Sequence, residues 1–215
     1  MYIMQINIIL FGMLAMSFAM VAAKRMVSLI RGFRVQSALL FLVTVFFALE
    51  SGDHELYAVA ALLFILKVVM IPRFLSRVVK RIKVDENLGF FVNPLLSLCI
   101  TLLLTYLSYL FTSRIMLMHE NIQGYSFAVS LSVTLTGMFI MVFRIKAITQ
   151  IVGLMVMENG LFLAASAVSG GMPFFVEIAI FFDVFICVMI LGVFVYKINR
   201  LFTHIDVNKL KQLKG

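Results

Sequence analysis

Residues 88–112 have the sequence LGFFVNPLLSLCITLLLTYLSYLFT, which contains no charged side chain. A helix needs roughly 20 apolar residues to cross the hydrocarbon core of a bilayer, and this stretch is longer. The chain of 215 residues is 63% hydrophobic and 13% charged. Soluble domains have about 25% charged residues, and a domain with so few charges would expose too much apolar surface to water. We therefore predict an all-α polytopic membrane protein.

Apolar stretches between clusters of charged residues predict seven transmembrane helices. The second stretch is the shortest, because Arg34 and Glu50 bound it closely. A tilted helix that begins at Arg31, with arginines that snorkel to the interface, would complete it. The predicted spans are residues 3–23, 35–50, 56–78, 88–112, 124–143, 147–169 and 173–197.

The basic residues predict the orientation of these helices. Of the 18 lysines and arginines, Arg114 alone falls in the loops of one side, and Lys67 lies inside a predicted span. The loops of the other side carry the rest. The positive-inside rule therefore predicts an N-terminus outside the cell and a cytoplasmic C-terminus. The net charge of +8 then reflects topology and contact with anionic lipid, and we expect no nucleic-acid partner.

A faint internal similarity predicts the organisation of the chain. The segment that begins at Ser28 and the segment that begins at Thr149 align, and a basic stretch follows in both halves. We predict a parallel 3+1+3 repeat, for which chance similarity between apolar sequences is the alternative. The predicted units are a first three-helix unit at 1–83, a linker helix within 84–123, a second three-helix unit at 124–200 and a tail at 201–215.

Two acidic residues fall near the middle of predicted spans, where an ionised side chain costs at least about 2.5 kcal/mol. Glu158 and Asp183 lie at nearly the same depth on neighbouring antiparallel helices. If they face each other, repulsion and desolvation would keep at least one carboxyl protonated near neutral pH, as proton transfer requires. The alternative is a protonated structural acid at a helix interface, with Asn159 as a hydrogen-bond partner.

Two further ionisable residues are candidates for an ion path. Lys67 interrupts an apolar run, and Pro72 five residues later removes a backbone donor, so a kink would open a polar gap. We predict that Lys67 transfers charge or pairs with an acid, and a snorkelling lysine is the alternative. Glu177 follows Pro173 near the predicted outer interface. It is either a solvated carboxylate or the outer mouth of a proton path.

The cysteines and histidines predict no metal, haem or disulfide in this chain. Cys99 and Cys187 lie inside apolar runs without a partner at metal or redox spacing. The three histidines, His54, His119 and His204, all lie in polar connections. We therefore expect no cofactor-binding, metal-binding or catalytic residue here.

Several motifs resemble those of hydrogenase-4 component E, a membrane subunit of group 4 NiFe hydrogenases and formate hydrogenlyase-type complexes. They are GLMVMENG at residues 153–160, VEIAI at 176–180 followed by Asp183, KVVMIP at 67–72 and the tail DVNKLKQLKG at 206–215. The similarity covers the whole chain.

The last three predicted helices also resemble the K subunit of respiratory complex I and the C subunit of Mrp-type antiporters. Of the two intramembrane glutamates of that K subunit, the second matches Asp183. The first would fall at Met155, nearly one turn before Glu158. Positions three residues apart share a helix face, so Glu158 would serve the same path from a displaced position.

The resemblance implies a non-catalytic membrane-arm subunit of a redox complex that translocates protons or sodium ions in the bacterial inner (cytoplasmic) membrane. Lys67, Glu158, Glu177 and Asp183 would line its ion path. The nickel–iron and iron–sulfur centres would lie in peripheral hydrogenase subunits on the cytoplasmic side, and antiporter-like proteins would be neighbours in the membrane. Two alternatives remain open. They are a stand-alone small-solute transporter of 3+1+3 design, which would need paired hinge prolines, and a purely structural scaffold.

Overall fold

The computed structural model of the protein describes residues 2–52, 54–81, 93–115 and 122–169. All of these residues belong to one compact unit, and their regular structure is helical. The helices are α1 (Tyr2–Ala22), α2 (Met26–Ser51), α3 (His54–Leu63), α4 (Ile71–Arg81), α5 (Pro94–Ile115), α6 (Ile122–Phe143) and α7 (Ala147–Ser169), and a π-helix at Phe64–Met70 joins α3 to α4 without a break.

Six helical stretches are long and apolar enough to cross a membrane, so the all-α multi-pass architecture is confirmed at that level. One of them, Leu56–Val79, runs from α3 through the π-helix into α4. The seventh predicted span, residues 173–197, lies outside the described residues. The 3+1+3 repeat, the predicted units and the orientation stay predictions.

The second span differs from its prediction. It was expected at residues 35–50, but its helix begins at Met26 and ends at Ser51. Arg31 and Arg34 therefore lie within the helix, and both side chains are exposed. Long basic side chains lie along an apolar surface while their charged ends reach towards water, so arginine did not mark the start of the helix.

Local sequence explains two helix ends. The side chain of Asn93 accepts a hydrogen bond from the amide of Leu95 at 3.3 Å, and Pro94 occupies the first position of α5. Asparagine before a helix and proline at its first turn are typical starts. After α2, Gly52 adopts a left-handed conformation with φ of 67°, and its amide donates to the carbonyl of Ala48 at 3.0 Å. Glycine is the residue that best tolerates this conformation at a helix end.

The closest packing in the described part joins α6 to α7 through glycines. A Cβ atom added at Gly153 would lie 2.6 Å from the backbone nitrogen of Met141, and one at Gly160 would lie 2.8 Å from the carbonyl oxygen of Ser130. Helices in a membrane associate closely where small residues let their backbones meet. This contact fixes which face of α7 points towards α6.

Apolar side chains of α1, α2, α3 and α7 form a common core. Its buried members are Ile6, Leu10, Met13, Leu40, Val43, Ala48, Leu56, Val59, Leu63, Phe162 and Leu163. This core packs α7 against α2 and brings the first three spans together on the side of α7 that bears Glu158 and Asn159.

Candidate functional site

Lys67 lies on the π-helix, and Pro72 explains why the helix widens there. Pro72 has no amide hydrogen, so Val68 loses the partner that its carbonyl would have in an α-helix. The turns before Pro72 follow the π-helical pattern, in which an amide donates to the carbonyl five residues earlier. The amide of Ile71, for example, donates to the carbonyl of Leu66. A π-helical turn is rare and occurs frequently at functional sites. The predicted disturbance before Pro72 is therefore a change of helical register around the lysine.

Lys67 forms a buried ion pair with Glu158. Its Nζ lies 3.2 Å from Oε1 of Glu158, and the two side chains are 1% and 8% exposed. Both residues lie at the centre of their spans, Leu56–Val79 and Ile148–Val168. Each is on the order of 15 Å from either end of its span, at a rise of about 1.5 Å per residue. In a bilayer that these spans cross, the pair would lie near the middle of the hydrocarbon region.

Asn159 is the second partner of the lysine. Nζ of Lys67 donates to Oδ1 of Asn159 at 3.1 Å. An ammonium group only donates hydrogen bonds, so the amide oxygen must face it and the amide nitrogen must point away. That nitrogen donates to Oγ of Ser37 at 3.1 Å and lies 3.5 Å from Oε1 of Gln36.

The hydrogen-bonded chain continues from α2 into α1. Nε2 of Gln36 donates to Oγ of Ser17 at 2.8 Å and to the carbonyl of Met13 at 3.4 Å. The hydroxyl of Ser17 in turn donates to the same carbonyl at 3.1 Å. We call this set, Asn159, Ser37, Gln36 and Ser17, the amide chain. It leads from Lys67 in the centre of its span to a backbone oxygen of α1.

The packing of α7 orients both of its site residues. Gly153 and Gly160 are seven residues apart and share the face that contacts α6. At 3.6 residues per turn, Glu158 and Asn159 point away from that face. They consequently point towards α2 and the π-helix, and the side chains of both are buried.

A second buried cation, Arg144, lies between α6 and α7. Its Nη2 donates to the carbonyls of Met20, Val21 and Ala23 at 3.4, 2.8 and 3.3 Å. Met20 and Val21 lie in the last turn of α1, where backbone carbonyls have no partner within the helix, and Ala23 directly follows the last residue of α1, Ala22. Burial lowers the pKa of Arg144 from its usual value to about 10, so the guanidinium remains charged at neutral pH. The sequence predicted Arg144 as an orientation charge and did not predict this capping role.

The predicted site residues have different outcomes. The structure brings Lys67 and Glu158 into contact, whereas Glu177 and Asp183 lie outside the described residues. That Glu158 and Asp183 lie at nearly the same depth thus stays a prediction, as does any role in ion transfer. In the described part of the chain, no group of three or more His, Cys, Asp or Glu side chains is arranged to hold a metal.

The amide chain was not predicted from the sequence. The sequence feature that could have indicated it is the one that indicated Lys67 and Glu158, namely a polar side chain within an apolar span. Ser17, Gln36 and Ser37 each lie inside a span, and each is buried. Asn159 was noted only as a partner for a protonated acid, whereas its oxygen binds Lys67.

Comparison with known proteins identifies a distant relative. The chain is 25% identical over 204 residues to the Uncharacterized protein Rv0085 of Mycobacterium tuberculosis (strain ATCC 25618 / H37Rv). The alignment covers 94% of this chain and 93% of that protein. No protein-family model and no solved structure matches the chain. The resemblance to hydrogenase-4 component E remains a prediction.

Proposed function

We propose that this protein is a non-catalytic membrane subunit of a hydrogenase-4-like redox complex that translocates protons or sodium ions, with the Lys67–Glu158 pair in its ion path. The observation that carries the proposal is the pair itself. A lysine and a glutamate meet at 3.2 Å in the centre of two spans, and both side chains are buried. The motifs around both residues are those that resemble component E.

Energetics favour a functional role for the pair over a purely stabilising one. An ionised side chain in the hydrocarbon region costs at least about 2.5 kcal/mol. Replacement of a buried ion pair by apolar residues of similar volume is often neutral or stabilising. A scaffold would therefore gain little from Lys67 and Glu158. A subunit that responds to an arriving ion needs charges at this depth.

The pair has the chemistry that such a response requires. A proton that arrives at Glu158 neutralises the carboxylate, and a sodium ion competes with Lys67 for its oxygens. In either case the electrostatic attraction across the 3.2 Å contact weakens. Lys67 lies in the middle of the π-helix, where the backbone already departs from the α-helical register. The arrival of an ion would thereby change the electrostatic force on the span that carries Lys67.

The remaining parts of the proposal concern partners and location. The nickel–iron and iron–sulfur centres would lie in peripheral hydrogenase subunits, and the membrane neighbours would be antiporter-like proteins. Exposed arginines on α2 and α4, namely Arg31, Arg34, Arg73 and Arg77, suit contact with anionic lipid or with such peripheral subunits. The proposed location is the bacterial inner membrane, with the C-terminus in the cytoplasm.

Purification of the tagged full-length chain from its native membranes in a mild detergent tests this assignment. We expect hydrogenase subunits and antiporter-like membrane proteins to co-purify, identified by mass spectrometry. A matched control is an unrelated tagged membrane protein of similar abundance. Isolation of the chain alone as a homo-oligomer, with solute uptake after reconstitution into liposomes, would contradict the proposal and favour a stand-alone transporter.

A further inference from the structure

We propose that a groove between α5 and α6 binds one anionic phospholipid, with an acyl chain between the two helices and the phosphate at Arg114. The groove is open to the surface and has a volume of about 620 Å³. We call it the α5–α6 groove, and its apolar lining comes from Leu107, Leu110, Phe111, Leu131 and Leu135. The proposal goes beyond the ion path and does not depend on it.

Hydrogen bonds within the bundle occupy the hydroxyl groups beside the groove. Ser108, which also lines it, donates from Oγ to the carbonyl of Ala128 at 3.1 Å and thereby joins α5 to α6. The hydroxyl of Thr112 donates to the carbonyl of Ser108 at 2.8 Å. Both hydroxyl groups are buried and already have acceptors. Among the described residues that line the groove, Arg114 therefore has the one side-chain donor group available to a ligand.

Arg114 lies at the end of the groove and at the edge of the membrane span. It belongs to the last turn of α5, and the span Pro94–Arg114 ends there. Leu107 lies seven residues earlier, about 10 Å deeper along the helix. The side chain of Arg114 is exposed, and within the described part of the chain its guanidinium forms no hydrogen bond or ion pair. Its charge is thus available at the depth of lipid headgroups, next to apolar walls.

The position of this charge along the chain also needs an explanation. The predicted topology places Arg114 alone opposite the other basic loop residues. The positive-inside rule explains those residues and does not explain Arg114. A guanidinium binds phosphate oxygens through two parallel hydrogen bonds. A cation at the end of an apolar groove therefore complements a ligand with an acidic head and an apolar chain.

The dimensions of the groove favour an acyl chain over a transmembrane helix of a partner. A helix that spans the bilayer packs over the roughly 30 Å of the hydrocarbon core. The lining on α5 extends only from residue 107 to residue 114, about two turns. The charge also favours a lipid with net negative charge, because a zwitterionic headgroup carries its own cation, which competes for the phosphate.

Photo-cross-linking of the full-length chain in nanodiscs of phosphatidylcholine tests the proposal. The probe is phosphatidylglycerol with a photoreactive group on one acyl chain, and the comparison probe is phosphatidylcholine with the same chain. Mass spectrometry of peptides locates the cross-links. We expect the anionic probe to label residues 107–114 and 131–135 preferentially. Arg114→Gln should reduce that preference about fivefold, the effect expected of one basic side chain beside anionic lipid, and Arg114→Lys should retain part of it.

Matched controls distinguish the site from general contact with lipid. Arg73→Gln removes an exposed arginine of α4 and should leave the preference unchanged. Leu107→Trp fills the groove but keeps Arg114, so labelling of residues 131–135 should fall. Phe11→Trp enlarges a side chain in a second groove, between α1 and α6, and should have no effect. Leu107 and Phe11 are 48% and 72% exposed, so both positions have room for tryptophan.

Three results would overturn the proposal. Equal labelling of the groove by the two probes, unchanged in Arg114→Gln, would mean ordinary contact with the bilayer. Full labelling of residues 131–135 in Leu107→Trp would place the acyl chain outside the groove. Labelling of other exposed faces but not of the groove would mean that a protein segment occupies it. The measurement involves neither ion transport nor a partner subunit, so its failure leaves the proposed function intact.

Discussion

The two buried cations, Lys67 and Arg144, are compensated in different ways. Lys67 lies in the middle of a span and binds a carboxylate and a side-chain amide. Arg144 lies between two spans and binds three backbone carbonyls at the end of α1. A carboxylate changes its charge when a proton arrives, whereas a carbonyl does not. The partners of each cation therefore differ: those of Lys67 suit the proposed response to ions, whereas those of Arg144 join helices.

The chemistry of the two side chains fits this division. A guanidinium presents several donors in a rigid plane and stays charged, which suits the carbonyls at a helix end, where positive charge is favourable. An ammonium is a compact charge with three donors on one nitrogen, and Nζ of Lys67 contacts both a carboxylate and a side-chain amide.

The largest expected effect on stability comes from removal of one member of the central pair. Lys67→Met leaves Glu158 buried without its cation, and loss of one partner of a buried pair costs about 3–5 kcal/mol. The free energy of unfolding in mixed micelles measures this cost. The double variant Lys67→Met with Glu158→Met should recover most of it. A double variant as unstable as the single one would show that packing, and not charge, was lost.

A smaller loss is expected at the second cation. Arg144→Ala removes hydrogen bonds from a charged donor to α1, and such bonds are worth about 1.5–3 kcal/mol. We expect a destabilisation within that range and faster amide hydrogen exchange at the end of α1. Arg144→Lys keeps the charge and should recover part of the loss. If Arg144→Ala leaves both quantities unchanged, the capping role is wrong.

The next effect concerns the link between the central pair and α1. Gln36→Leu breaks the amide chain without touching either charge, and a hydrogen bond within a membrane bundle is worth about 1 kcal/mol. We expect that loss in the same unfolding assay. Thr44→Val, which removes a hydroxyl bonded to its own helix, should cost less. Equal losses in the two variants would mean that the amide chain contributes no more to stability than a hydrogen bond within a single helix.

The smallest expected effect is the pH dependence of the Arg144 contact. Burial lowers the pKa of Arg144 to about 10, so the folded protein releases this proton before the unfolded chain does. Stability linked to this group therefore rises with pH only above about 10 and is constant below it. The difference in unfolding free energy between wild type and Arg144→Ala should not change between about pH 6 and 8. A change in that interval would place another titrating group at the contact.

The sequence predicted the helical membrane architecture and the unusual charges because both follow from local composition. A lysine or glutamate inside an apolar run can be recognised in the sequence, whichever face of its helix packs against a neighbour. Pro72 likewise predicted a backbone disturbance near Lys67, since its missing amide hydrogen is a property of the residue itself. The structure added that the disturbance is a π-helix over Phe64–Met70.

The partners of these residues could not be predicted in the same way. In a bilayer, apolar side chains cover both the faces that pack and the faces that contact lipid, so periodicity does not identify the packed face. The rotation of α7 depends on glycines that meet the backbone of α6. Without that contact, nothing in the sequence says that Asn159 binds Lys67. The capping of α1 by Arg144, more than 120 residues away, is non-local for the same reason.

The most direct test of the proposed ion path is proton translocation by the purified complex in sealed vesicles. Glu158→Gln removes the carboxyl proposed to lie in the ion path. Ser166→Ala is the control, since Ser166 lies on the same helix and donates to the carbonyl of Phe162 in that helix. We expect both variants to assemble and to keep hydrogenase activity, with proton translocation abolished only in Glu158→Gln. Wild-type translocation by an assembled Glu158→Gln complex would contradict the proposal.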